Sequence, residues 1–159
     1  MSKNLISVEN LKYSLGNKIK FSLKIKNFIL KKSDSFLIYG DSGSGKSTFL
    51  NLLSGTLNPQ EGVVKILGKN ISESSSGMKD KLRGDHFGLV FQTFNLLPYI
   101  TVKNNILLGK AYSNRKQLAS NNDEVKILMD KLSLNYKELI DRKAYELSIG
   151  QQQRVAVAR

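Results

Sequence analysis

The chain has 159 residues, 40% of them hydrophobic and 24% charged, enough to bury a real core and unlike the composition of a disordered segment. It contains no cysteine and a single histidine, His86, which excludes a disulfide framework, thiol catalysis, Cys-ligated zinc and a multi-histidine metal site. The formal charge of +12 is evenly spread: residues 1–80 carry 12 basic and 6 acidic side chains, and residues 81–159 carry 13 and 7. No basic tail therefore marks a nucleic-acid arm. No apolar run approaches the ~20 residues of a membrane-spanning helix. The start MSKNLISVEN lacks the apolar stretch of a signal peptide, so a cytosolic chain is expected.

The chain opens with two predicted antiparallel strands, Leu5 to Leu11 and Lys18 to Ile25, joined by a turn at Gly16-Asn17. In the second, Lys18, Lys20, Lys24 and Lys26 alternate with Ile19, Phe21, Leu23 and Ile25, a period-2 strand with one apolar and one solvated face. Ser35-Phe36-Leu37-Ile38-Tyr39 is a short apolar run ending at glycine, which predicts a strand buried on both faces of a parallel sheet. A helix is predicted from Thr48 to Leu53, stopped by Gly55. Asn58 to Gly62 reads as a turn into a strand over Val63 to Leu67. Ser72 to Gly77 reads as a surface loop, and a short charged helix follows from Met78 to Arg83. Phe87-Gly88-Leu89-Val90-Phe91 is a second buried-strand candidate. The remainder reads as helical over Thr101 to Leu108, Asn122 to Leu132 and Ser148 to the end.

Between the run 35–39 and the first helix lies Gly40-Asp41-Ser42-Gly43-Ser44-Gly45-Lys46-Ser47-Thr48, which satisfies G-x-x-x-x-G-K-[ST] in the context the motif requires. The chemistry explains the residue types. Glycines let successive backbone N–H groups turn inward around a β-phosphate where a Cβ would obstruct. The helix adds the positive end of its dipole. Lys46 brings a full charge to the β- and γ-phosphates, and Ser47 offers a hard hydroxyl ligand for Mg²⁺. This loop points to a nucleoside triphosphate. Alone it leaves a transporter ATPase, a GTPase and a nucleotide kinase open.

Two more segments narrow the class: Val90-Phe91-Gln92-Thr93-Phe94-Asn95-Leu96-Leu97-Pro98 and Leu147-Ser148-Ile149-Gly150-Gln151-Gln152-Gln153-Arg154-Val155-Ala156. With the loop at 40–48 before them, the chain resembles the ATP-binding subunits of ABC transporters. The first segment is similar to their glutamine loop and the second to their LSGGQ signature. The nearest likeness is to subunits serving lipoprotein-release, macrolide-export and cell-division-type permeases, whose glutamine loops also read FQ before an NLLP-like stretch.

The resemblance implies an α/β P-loop NTPase with an N-terminal antiparallel β subdomain, a RecA-like parallel sheet core and a helical signature subdomain. It divides the chain into residues 1–91, the β and P-loop part, and 92–159, the glutamine loop and signature part. It implies ATP and Mg²⁺, with Gln92 joining Ser47 at the metal and orienting the attacking water. Tyr13 would stack on adenine, although core packing explains that tyrosine as well. Leu147 to Gln151 would meet the γ-phosphate of nucleotide held by a second subunit in a head-to-tail dimer. Ser148 and Gln151 also have the spacing of a capping box, a purely local reason for both. Ile149 departs from the usual glycine. The implied partners are that second subunit and an integral-membrane permease at the inner face of the plasma membrane, with no nucleic acid.

In the resembled family the Walker B aspartate, catalytic glutamate and switch histidine all follow the signature, so these 159 residues are expected to bind ATP without hydrolysing it well. Ile127-Leu128-Met129-Asp130 is not read as Walker B: Lys131 follows it, and Val125, Leu128, Met129 and Leu132 share one face of a helix. His86 precedes the glutamine loop and is read as a surface residue. A non-hydrolysing ATP-dependent regulator and a non-transport ABC ATPase acting on nucleic acid or ribosomes are the competing readings. A small-molecule kinase would have no use for Ser148-Ile149-Gly150-Gln151.

Overall fold

The structure, a computed structural model, describes residues 4–15, 21–111 and 122–159. The predicted turn at Gly16-Asn17, with Lys18, Ile19 and Lys20, lies outside the described residues. The chain forms two compact units, Met1–Asp80 and Lys81–Arg159.

The first unit is built on a four-stranded antiparallel sheet of order β2-β1-β3-β4: β1 Asn4–Leu15, β2 Phe21–Lys31, β3 Glu61–Ile66 and β4 Lys69–Asn70. Alternation explains which face is inward. Ile6 and Val8 of β1 are buried beside buried Val64 and Ile66 of β3, whereas Lys24 and Lys26 of β2 are exposed. The phase then jumps: Leu11 is buried three residues after Val8, because Asn10 takes φ 49° and the register against β3 shifts between Glu9 and Lys12. Gly62 makes room for this bulge. Its φ is 87°, and a Cβ there would collide with the carbonyl of Asn10. Helix α1, Lys46–Leu53, buries Phe49, Leu52 and Leu53, and the Phe49 ring meets Phe28 of β2 edge-on at 5.4 Å.

The second unit is helical. Helix α2, Ser76–His86, runs into it; α3 Val102–Ala111, α4 Asn122–Lys131, α5 Tyr136–Leu139 and α6 Ile149–Ala158 follow, with a 3₁₀ turn at Ala144–Glu146. Its core joins Val102 and Ile106 of α3, Val125 and Met129 of α4, Leu134, Leu139, Ile140, Leu147 and Val155. Ile127-Leu128-Met129-Asp130 lies inside α4, with Met129 buried and Ile127 exposed, so the helical reading of that segment is right. His86 sits exposed in the last turn of α2, where a basic group suits the helix dipole.

Two expectations need correction. The runs Ser35–Tyr39 and Phe87–Phe91 are not strands, and neither is buried. Leu37 and Tyr39 are 80% and 88% exposed, and Val90 is 53% exposed. A central parallel strand exists only when neighbours take its N–H and C=O groups on both sides. Among the described residues neither run is paired into a sheet. Short apolar runs without periodicity carry burial preference but no partner, so the sequence pattern alone could not supply the ladder.

Candidate functional site

In the first unit the loop 40–48 lies open to solvent ahead of α1. The Lys46 ammonium folds back over it, donating to the carbonyls of Gly40 and Asp41, both at 2.7 Å. The loop is closed by Ser44 N–H donating to the Asp41 carbonyl at 3.2 Å. Gly45 is the N-cap of α1 at φ 97°, and no side chain caps the helix. A Cβ at Gly45 would lie 2.6 Å from Cζ of Phe21, so both conformation and space require glycine there. The first N–H groups of a helix have no intrahelical partner, and here no side chain caps them. They stand beside a lysine held by neutral carbonyls. Helix dipole, uncapped amides and one full charge lie close together here, a combination whose chemistry suits an anion. Ser47 is exposed on the first turn, a hard oxygen suited to Mg²⁺. Asp41, Ser42, Gly43 and Ser44 are exposed, and Thr48 is half-buried below them.

Tyr13, half-buried on β1, is directly opposite Leu23 of β2. Leu23 lies near the loop: its Cδ1 would be 3.5 Å from a Cβ at Gly45. Cross-strand partners share a face, so Tyr13 lies on the side of the sheet that carries the phosphate loop.

In the second unit Gln92 is exposed in a turn that continues through Phe94 and Asn95, both left-handed with φ 58° and 50°. The loop beyond it is locked by Asn105, a fully buried amide on α3. Its Oδ1 accepts from Leu97 N–H at 2.9 Å, and its Nδ2 donates to the carbonyls of Leu97, Ile100 and Thr101. Arg159, following α6, donates to the carbonyls of Asn95 at 2.6 Å and Phe94 at 2.8 Å. Partial burial lowers the pKa of that guanidinium from its ordinary value. One end of the signature helix is thereby tied to the loop after Gln92.

The other end of α6 begins at Ser148. Ser148 Oγ accepts from Gln151 N–H at 3.3 Å, and Gln151 Oε1 accepts from Ser148 N–H at 2.9 Å, the capping box that the spacing predicts. Leu147 is buried as an anchor, whereas Ile149 is 76% exposed and Gly150 is exposed beside it. The structure thus brings Tyr13 to the face of the loop at 40–48 in one unit, and joins Gln92's loop to the signature helix in the other. Asn105, Arg159 and Phe21 escape sequence reasoning. An Asn four residues after a predicted helix start, an Arg at the far end of another predicted helix and an aromatic in a strand are each ordinary without the fold.

The sequence profile of the family described as ABC transporter matches residues 23–159. This chain belongs to the ABC transporter family. It is 36% identical over 158 residues to the macrolide export ATP-binding/permease protein MacB of Mannheimia succiniciproducens, covering 98% of this chain and 24% of that one. It is 35% identical over 147 residues to the lipoprotein-releasing system ATP-binding protein LolD of Wigglesworthia glossinidia brevipalpis, covering 92% of this chain and 63% of LolD. Among solved structures it is similar to the dimeric post-hydrolysis ATP-binding cassette MJ0796 bound to ADP and Pi, with TM-score 0.73 and 29% identity over 96% of this chain and 67% of that one. The chain therefore spans about a quarter of MacB and just under two thirds of LolD. The fold is that of the ABC ATPase cassettes, with an antiparallel β subdomain and a helical part. Among the described residues no helix is long and apolar enough to cross a membrane.

Proposed function

We propose that this chain is the ATP-binding part of an ABC transporter, which binds MgATP and couples its hydrolysis to movement of a substrate through a partner permease. The observation that carries the reading is the lysine-closed loop at the uncapped start of α1. Lys46 exchanges its two carbonyl acceptors for β- and γ-phosphate oxygens, a charge-assisted exchange that neutral carbonyls cannot match. The backbone amides of Gly40 to Thr48 surround the β-phosphate, and the ring of Tyr13 takes the adenine face. Ser47 would hold Mg²⁺, which when bound neutralises charge on the triphosphate. Gln92, by the family resemblance, takes the role of orienting the attacking water.

Leu147, Ser148, Ile149, Gly150 and Gln151 present the start of α6 to the γ-phosphate of nucleotide on a second, head-to-tail subunit. The likeness to a dimeric cassette supports that arrangement. Residues 1–91 carry the nucleotide, and residues 92–159 carry the signature and face the permease. The protein then works at the inner face of the plasma membrane, held there by its partner. Slow turnover by these residues alone is the expectation, because Gln92, the residue assigned to the attacking water, is no general base, and a positioned base contributes ~10²–10⁴ in rate.

Equilibrium dialysis against AMP, ADP and ATP, with phosphate release followed in parallel, tests both points. Affinity should climb with each added phosphate while release stays slow. Equal affinity for AMP and ATP would overturn the binding reading, and brisk phosphate release would overturn the second.

A further inference from the structure

The strand that carries Tyr13 outruns its neighbour. On the β3 side of β1, pairing reaches Lys12, which is opposite Glu61, the first residue of β3. Pro59 lies just before this point and has no N–H to extend the ladder. Gln60 completes the edge instead. Its backbone N–H donates to the Lys12 carbonyl at 2.9 Å. Its side-chain Oε1 accepts from Ser14 N–H at 2.9 Å, and its Nε2 donates to the Ser14 carbonyl at 3.1 Å. The primary amide reproduces the donor–acceptor pair that one more strand residue would present. Tyr13 lies between the two residues so held.

We infer that Gln60 is a positioning residue for the nucleotide base, splinting the end of β1 on both sides of Tyr13 so that its ring is held on the phosphate-loop face. The inference rests on the reading of Tyr13 as the adenine-stacking residue. The residue type matters. Asparagine is one methylene too short to span the same gap. A serine or threonine hydroxyl cannot present a donor and an acceptor side by side, and glutamate loses the donor while facing the Ser14 carbonyl with a charge. A splint of this kind acts on the base and leaves the phosphates alone, because the loop at 40–48 is closed by its own lysine.

The test is to titrate the parent chain, Gln60→Ala, Gln60→Glu, Tyr13→Ala and the double variant Tyr13→Ala/Gln60→Ala with ATP and with inorganic tripolyphosphate, which has no base. Both Gln60 variants should weaken ATP about three- to tenfold, the scale of one or two lost hydrogen bonds, with tripolyphosphate affinity unchanged. In the Tyr13→Ala background, Gln60→Ala should add nothing. Equal losses for ATP and tripolyphosphate would overturn the proposal, since Gln60 would then act on the loop or the fold. Unchanged ATP affinity in the Gln60 variants beside a weakened Tyr13→Ala would overturn the splint and leave the base reading standing. Unchanged ATP affinity in Tyr13→Ala would overturn both. Gln60→Glu keeps the side-chain volume and so retains the comparison if the alanine variant unfolds.

Discussion

Two helices of this protein begin at points read as phosphate sites, and they begin in opposite ways. Helix α1 starts at Gly45 in the left-handed region with no side-chain cap, its first amides offered to whatever enters the loop. Helix α6 starts at Ser148 with a closed capping box, in which Ser148 and Gln151 each use the other's N–H. An uncapped helix start costs local stability, because a side-chain cap contributes about 1 kcal/mol. The start of α1 forgoes that stabilisation and adds a lysine, which suits it to an anion. The start of α6 is satisfied within its own chain. The remaining amides at Ile149 and Gly150 can meet an anion only as one brings itself to that surface. The proposed reading, a resident nucleotide at α1 and a visiting one at α6, matches this difference in capping.

The contrast can be broken first at the support beneath α6. Asn105 is buried, and its amide satisfies one N–H and three carbonyls of the loop after Gln92. Asn105→Ala should destabilise the helical unit by about 2–3 kcal/mol, the cost of removing a fully buried side chain and its bonds to the Leu97 N–H and carbonyl, while the Ile100 and Thr101 carbonyls keep the N–H groups of Ala144 and Asn105. Urea denaturation checks it, and a loss within experimental error of zero would remove Asn105 as the lock. Nucleotide affinity at α1 should change little.

A smaller effect is expected at the cap itself. Ser148→Ala removes the acceptor for Gln151 N–H and should cost about 1 kcal/mol of stability, read from the same denaturation curves. Gln151→Ala should cost a similar or smaller amount. If neither moved stability, α6 would be as open as α1 and the contrast would fail.

Much of this was legible in the sequence because the governing rules are local. The loop at 40–48, the capping box at Ser148 and Gln151 and the helical face of Val125, Leu128 and Met129 each depend on spacing within one turn or one motif. The limits of β2 were not legible: the strand continues to Lys31, well past Ile25, because Asn27 breaks the alternation while still pairing with Glu9. The bulge at Asn10 was hidden for the same reason, since its cause is Gly62, far along the chain. The short helix α5 and the 3₁₀ turn at Ala144–Glu146 are too brief to carry a period. The runs 35–39 and 87–91 failed in the other direction. Apolar residues announced burial, but a parallel strand is defined by what lies beside it, and composition says nothing about a neighbour. Gln60 and Arg159 belong with this group, because the groups they satisfy are distant in sequence.

The most direct measurement compares ATP affinity in Lys46→Ala and Ser148→Ala at a chain concentration too low for dimerisation. Lys46→Ala should weaken binding on the order of a hundredfold, the loss of one charge held against the triphosphate, whereas Ser148→Ala should bind within about twofold of the parent. Parent-like binding by Lys46→Ala, or an equal loss in Ser148→Ala, would contradict the account.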